Sequence, residues 1–346
     1  ASADPGDPWW NSGWEKRVPL TVTDASSTDG VQVLFNVAYD SDMQSDFDDL
    51  RFVQDDGITT IDYWIESKSD SNYALCWLEL PAGEELIYLY YGAPDAESES
   101  DAEGVFDLYD SFSSLDTDKW QVMKSDTDGT VTVSGGELCI DGSGASNTHI
   151  SLRSKTAKFG TGYILEARMR HGNVATDRDT YGGFGFTQGT FEYSPSQADD
   201  QIAILDFVSA DTALYGVNAL HLSDEKTYTT FSPGIAVSTT ARDFKITRKA
   251  TSAEYECGAS SVEISTHYST AEMYVALGFP KNDAGREIYF DWVRVRKYVA
   301  TEPTLSIGPE ETFATYDGYY YYQAIEYAGC DQETYQQDIV VHRTTG

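Results

Sequence analysis

Short runs of strand-forming residues, each closed by a cluster of turn formers, recur along nearly the whole chain, and no long segment sustains an apolar repeat of helical period. Val31 to Val37, Leu50 to Val53, Ile61 to Glu66, Tyr73 to Leu80 and Leu86 to Tyr91 are such runs, divided by clusters such as Asp55-Asp56-Gly57. A strand presents alternate residues to opposite faces, so a chain built this way buries its apolar side chains by stacking pleated sheets. The 24 tyrosines and 28 glycines, spread throughout, fit the same picture. The predicted fold is all-β: two tandem antiparallel β-sandwiches followed by a C-terminal β-hairpin.

The boundaries follow from breaks in this pattern. Residues 1–104 read as a small N-terminal sandwich, ending in the acidic stretch Asp95 to Glu103 after Gly92-Ala93-Pro94. Residues 105–299 hold a second set of strands, opening on Phe106-Asp107-Leu108-Tyr109-Asp110 and closing on Ile288 to Arg296. In that closing strand Ile288, Phe290, Trp292 and the later valines do not all share one parity, whereas Val293 and Val295 alternate with Arg294 and Arg296, as expected of a strand covered at one end and half-exposed at the other. Residues 300–346 are expected to be a linker and a tyrosine-rich strand pair.

That last segment directs the reading toward assembly. Tyr319, Tyr320, Tyr321 and Tyr322, then Ile339, Val340 and Val341, form two strand-like runs that follow an already complete sandwich. Uncovered strands of this kind are templates for pairing with another chain, so the expectation is a homopolymer built by β-augmentation. The alternative is that the hairpin covers an edge of its own chain.

Charge and composition narrow the partners. With 57 Asp and Glu against 23 Lys and Arg, the formal charge of -34 opposes nucleic acid and anionic membrane surfaces. No apolar run approaches the ~20 residues needed to span a bilayer. Ala1-Ser2-Ala3 resembles the residues around a signal-peptidase cut, which implies an extracellular chain after signal peptide removal. Four cysteines, Cys76, Cys139, Cys257 and Cys330, lack the close pairs of a zinc or redox motif. In an oxidising compartment Cys139 and Cys257 form the natural intrachain bridge, both lying in the second sandwich. Cys76 and Cys330 then remain to bond to each other or to neighbouring subunits. The competing reading is four free thiols.

Little points to catalysis. Retaining hydrolysis of a sugar bond needs two carboxyls roughly 5 Å apart, which alternate positions on one strand supply, as in E-x-D-x-E. Gln201 to Phe207 carries only Asp206, and Glu254 with Glu256 reads as a solvent face. His149, His171, His221, His267 and His342 show no metal-binding spacing. The chain is therefore expected not to be an enzyme and to require no cofactor. Tyr181, Phe191 and Tyr193 are candidate sugar-stacking aromatics, with burial in the core as the commoner fate, and Trp9, Trp10 and Trp14 are expected to pack the first domain's core, with a sugar platform or an intersubunit plug as the alternative.

Read in order, Trp9-Trp10-Asn11-Ser12-Gly13-Trp14, Phe47-Asp48-Asp49-Leu50-Arg51-Phe52, Tyr63-Trp64-Ile65-Glu66 and Tyr88-Leu89-Tyr90-Tyr91-Gly92 resemble a domain of unknown function that opens many archaeal cell-surface proteins. Residues 106–299 resemble the concanavalin A-like lectin/glucanase sandwich, of jelly-roll type, that commonly follows it. The residues that carry this are Asp110-Ser111-Phe112, Leu115 to Trp120, Gly162 to Arg168 and Phe290 to Val295. The resemblance implies an archaeal envelope protein, and the whole is most similar to a methanogen sheath subunit. The function expected is a structural protein that self-assembles into a cell-envelope layer, sheath or filament, with a carbohydrate-binding adhesin for cell-surface glycans as the alternative. It further implies a structural Ca²⁺ near Asp110 and Asp291.

Overall fold

The computed structural model describes residues 9–125, 129–142, 148–173, 181–192, 199–206, 213–220, 226–282 and 286–313. These form two antiparallel β-sandwiches. The first contains β1 (Lys16–Thr23), β2 (Val31–Ala38), β3 (Arg51–Gln54), β4 (Thr60–Ile61), β5 (Tyr63–Ser69), β6 (Tyr73–Leu80) and β7 (Leu86–Tyr91). A single helical turn, α1 (Ala102–Val105), capped by the Asp101 carboxylate on Glu103 N, leads onward. The second sandwich runs through β8 (Leu108–Asp110), β9 (Trp120–Lys124), β10 (Thr130–Ser134), β11 (Glu137–Asp141), β12 (Thr148–Phe159), β13 (Tyr163–His171), β14 (Tyr181–Thr187) and β15 (Asp200–Asp206). It continues with β16 (Leu214–Leu220), β17 (Lys226–Thr230), β18 (Arg242–Arg248), β19 (Ala253–Cys257), β20 (Ser260–Ile264), β21 (Met273–Asn282) and β22 (Glu287–Lys297). Finally β23 (Thr304–Ile307) and β24 (Glu311–Thr312) return to the first sandwich.

That return changes the domain picture. Residues 304–312, expected to be linker, pair antiparallel with β1 and extend its sheet to the order β23-β1-β7-β3-β4, with β24 also on β1. The physical reason is the edge that β1 would otherwise leave open, together with Leu305, which packs onto the first core. Charge reinforces the pairing: Arg17 Nε donates to Glu311 Oε2 (2.7 Å) and Lys16 Nζ to Glu310 Oε1 (3.0 Å). The segment leading to the tail is thus sealed into this chain's own sheet. The tail residues Tyr319 to Tyr322 and Ile339 to Val341 lie outside the described residues.

Trp9, Trp10 and Trp14 pack on the outer face of this sheet rather than between the sheets, beside Val53, Tyr88 and Tyr90. Trp9 and Tyr88 flank the fully buried Arg17, whose guanidinium carbon lies 4.8 Å from the Trp9 ring centroid and 4.1 Å from that of Tyr88, while the Trp14 ring centroid lies 5.3 Å from the Arg51 guanidinium carbon. The two-sheet core comes instead from alternating residues such as Val18, Leu20, Val33, Phe35, Leu78 and Leu89.

In the second sandwich, an eight-stranded sheet ordered β10-β11-β22-β13-β18-β19-β20, with β8 on β22, faces a seven-stranded sheet ordered β17-β16-β15-β14-β21-β12-β9. Leu165, Ala167, Phe184, Ile204, Phe244, Val275 and Phe290 are among the residues that fill the space between them. Gly183 of β14 is required by the neighbouring strand: an added Cβ would lie 1.9 Å from the Ile204 carbonyl oxygen.

Candidate functional site

The parity change in the closing strand is a β-bulge. β22 pairs with β13 through Arg168↔Trp292 and then Met169↔Phe290, which leaves Asp291 as an extra residue. Ile288 and Phe290 point into the core before the bulge, and Val293 and Val295 do so after it. Unbroken alternation would have driven Trp292 inward with Phe290. The bulge instead turns Trp292 onto the outer face, where it stays partly exposed.

There it lines a cleft of about 340 Å³, also walled by Glu166, Asp243, Lys245, Glu256, Cys257 and Arg294 of the eight-stranded sheet and by Glu66 of the first sandwich. The volume falls within the ~300–1,000 Å³ of small-ligand sites. Strand register builds the floor. Arg294 lies opposite Glu166, Glu166 opposite Lys245, and Lys245 opposite Glu256, a row of alternating sign across four strands. Lys245 Nζ sits 2.7 Å from Glu256 Oε2, and Arg168 holds both Asp243 (2.8 Å) and Asp291 (2.9 Å).

The inner end of the row is a nearly desolvated ion cluster. Arg294 Nε donates to Glu166 Oε2 and its Nη1 to Glu66 Oε1, each at 2.6 Å. Arg296 approaches Glu166 at 3.4 Å and donates to Glu302 at 2.8 Å. Only 12% of the Glu166 side chain is exposed. Burial pushes its carboxyl upward, but the two guanidinium charges outweigh burial and hold it below the usual glutamate range. Both arginines lie against the Trp77 ring of β6, at 4.6 and 5.4 Å, and Trp64, Phe106 and Tyr109 pack beside it. This cluster joins the two sandwiches, with Gln32 adding hydrogen bonds to Val105 O (2.7 Å) and from Lys297 N (2.9 Å).

The other expected sites fare differently. Asp110 and Asp291 do not converge on a cation: Asp110 accepts from Phe112 N (2.7 Å) and Trp120 Nε1 (2.6 Å), whereas Asp291 accepts from Arg168 Nε at the bulge. Val293 opposes Asp110 in the ladder and points inward, so Asp110 shares the core-facing side while Asp291 lies on the outer face. Asp206 is also turned inward, fully buried, and paired with Arg286 (2.7 Å) and Gly182 N. Burial lowers the pKa of the neighbouring His171, 3.5 Å from Asp206. Glu254 and Glu256 do occupy the outer face, each bound to a lysine. Phe191 is fully buried over Ala203, Leu205, Val217 and Ala276, so it offers no stacking surface. Tyr181 is partly exposed, and Tyr193 lies outside the described residues.

The Cys139–Cys257 bridge does not form, and both are free thiols. Cys139 is on β11 and Cys257 on β19, with β22, β13 and β18 between them. At about 4.8 Å per strand the separation is ~19 Å, far beyond the ~7 Å Cα limit for a disulfide. Cys76 is a free thiol in the first core with no exposed surface, and burial pushes its pKa up to about 12. A tether from Cys76 to another subunit is therefore blocked by packing. Cys330 lies outside the described residues. Alkylation of the native protein is expected to mark Cys139 and Cys257 and to spare Cys76 until denaturant is added, as peptide mass mapping would reveal.

Trp292 was missed as a site residue because its face depends on the bulge, although the parity break was visible. Glu66 and Glu166 carried no separate signal.

A family profile described as Domain of unknown function (DUF2341) matches residues 46–123, less than a quarter of the chain. Among curated proteins no match is found. A lichenase from a mouse hindgut metagenome is 14% identical, with 55% of this chain and 99% of that one aligned at a TM-score of 0.41. A glycosyl hydrolase family protein from Mycobacterium fortuitum is 18% identical, with coverages of 55% and 99% and a TM-score of 0.40. The Bacillus licheniformis beta-glucanase is 14% identical, with coverages of 55% and 98% and a TM-score of 0.41.

Proposed function

We propose that this protein is a cell-surface module that binds carbohydrate in the cleft beside Trp292. One observation carries the reading: a bulge turns a partly exposed indole into a cleft whose charged walls are already matched in pairs. An indole supplies a flat apolar face for a pyranose ring, and walls that alternate acceptors with donors suit hydroxyls, which do both. A charged ligand would have to take a partner from a wall group, leaving that group's charge uncompensated. The chain's charge of -34 further opposes polyanions. The ligand is accordingly an uncharged oligosaccharide.

Binding proceeds without hydrolysis. A glycosidase needs a carboxyl that can donate a proton beside a second carboxylate. Glu166 is held ionised by two arginines, and Glu254 and Glu256 are each engaged by a lysine.

Titration calorimetry against uncharged and uronic-acid oligosaccharides tests the reading. Trp292→Ala is expected to weaken binding about 30-fold, the equivalent of ~2 kcal/mol. Its fold should stay within ~1 kcal/mol of the parent, the scale of the lost contact with Arg294. A parent protein that binds no oligosaccharide in the panel would remove the proposal.

A further inference from the structure

We infer that the first sandwich is a working part of the ligand site, because Glu66 and the arginine it holds fix Trp292 in its binding position. This rests on the carbohydrate reading of the cleft. The Arg294 guanidinium carbon lies 4.8 Å from the centroid of the Trp292 ring. Two carboxylates from different sandwiches orient that guanidinium, Glu66 of β5 at Nη1 and Glu166 of β13 at Nε, each at 2.6 Å. A planar fork held at two of its corners has a fixed plane, and an indole lying against it inherits that plane. Arg294 itself is only 9% exposed and lies 4.6 Å from the Trp77 ring of the first sandwich, so packing backs the fork from behind. Glu66 is therefore a positioning residue that acts through Arg294, and it also forms part of the cleft wall.

The test is Glu66→Gln in the full chain, with Glu99→Gln as its control. Glu99 makes the same kind of ion pair within the first sandwich, to Arg51 at 3.0 Å, and does not line the cleft. Hydroxyl-radical footprinting read at Trp292 by mass spectrometry reports the indole without any ligand. Glu66→Gln is expected to raise Trp292 oxidation about twofold and to weaken oligosaccharide binding about five- to tenfold, while Glu99→Gln changes neither. Unchanged Trp292 oxidation together with unchanged affinity in Glu66→Gln would overturn the inference. A change of equal size in Glu99→Gln would overturn it too, by assigning the effect to overall charge. Absence of binding in the parent protein would instead strike the carbohydrate reading, and the footprint would still decide the positioning role.

Discussion

Glu166→Ala is expected to destabilise the folded chain by about 3–5 kcal/mol, measured as a lower guanidinium midpoint. The substitution leaves Arg294 and Arg296, only 9% and 6% exposed, without the carboxylate that lies between them. Their remaining carboxylates, Glu66 and Glu302, are more exposed, at 28% and 53%, and each touches one arginine. Glu166→Gln should cost less, because the amide oxygen still accepts hydrogen bonds. The dependence on pH follows from the depressed carboxyl. Since the folded state favours the ionised form, its stabilising contribution is fully present above the ordinary glutamate value of ~4.3. It is lost as the pH falls through the lower folded value. The gap between the parent and Glu166→Ala should therefore narrow in acid, and a gap constant from neutral pH down to the acid limit would refute the assignment.

Glu311→Ala is expected to cost about 3 kcal/mol, concentrated in the first sandwich. Arg17 is fully buried among Trp9, Tyr88 and Tyr90, and Glu311 places a carboxylate oxygen 2.7 Å from its Nε. Removing that carboxylate weakens the attachment of β24 to β1, where Lys16 opposes Thr312 and Arg17 opposes Glu311. The amides of Thr21 and Thr23, and of their partners Ser306 and Thr304 in β23, should then exchange faster than those of β3 and β7. Hydrogen exchange that rises uniformly over both sandwiches would instead indicate a global loss. The same measurement reports how firmly residues 304–313 are held in cis, a point bearing on any role of the chain that follows.

Much of the fold could be read locally. Runs such as Val31 to Val37 alternate within one strand, and turn clusters such as Asp55-Asp56-Gly57 end them, so the all-β character and most strand positions needed no knowledge of partners. The solvent-facing role of Glu254 and Glu256 followed from the same alternation. The cysteine pairing failed because two thiols in one domain are neighbours only if their strands are, and the strand order placed β22, β13 and β18 between them. Asp110 and Asp291, expected to lie near one cation, face opposite sides of the sheet, which only the strand register could place.

The sequence by itself determined where the chain could form strands and which stretches had to turn, because side-chain alternation and turn chemistry act between near neighbours. Only the tertiary structure decided that Trp292 faces outward, that Arg294, Glu166, Lys245 and Glu256 stand in one row, and that residues 304–312 close the edge of β1. Each of these depends on register between strands far apart in the chain. A single extra residue in one strand is enough to move a tryptophan from the core to a cleft.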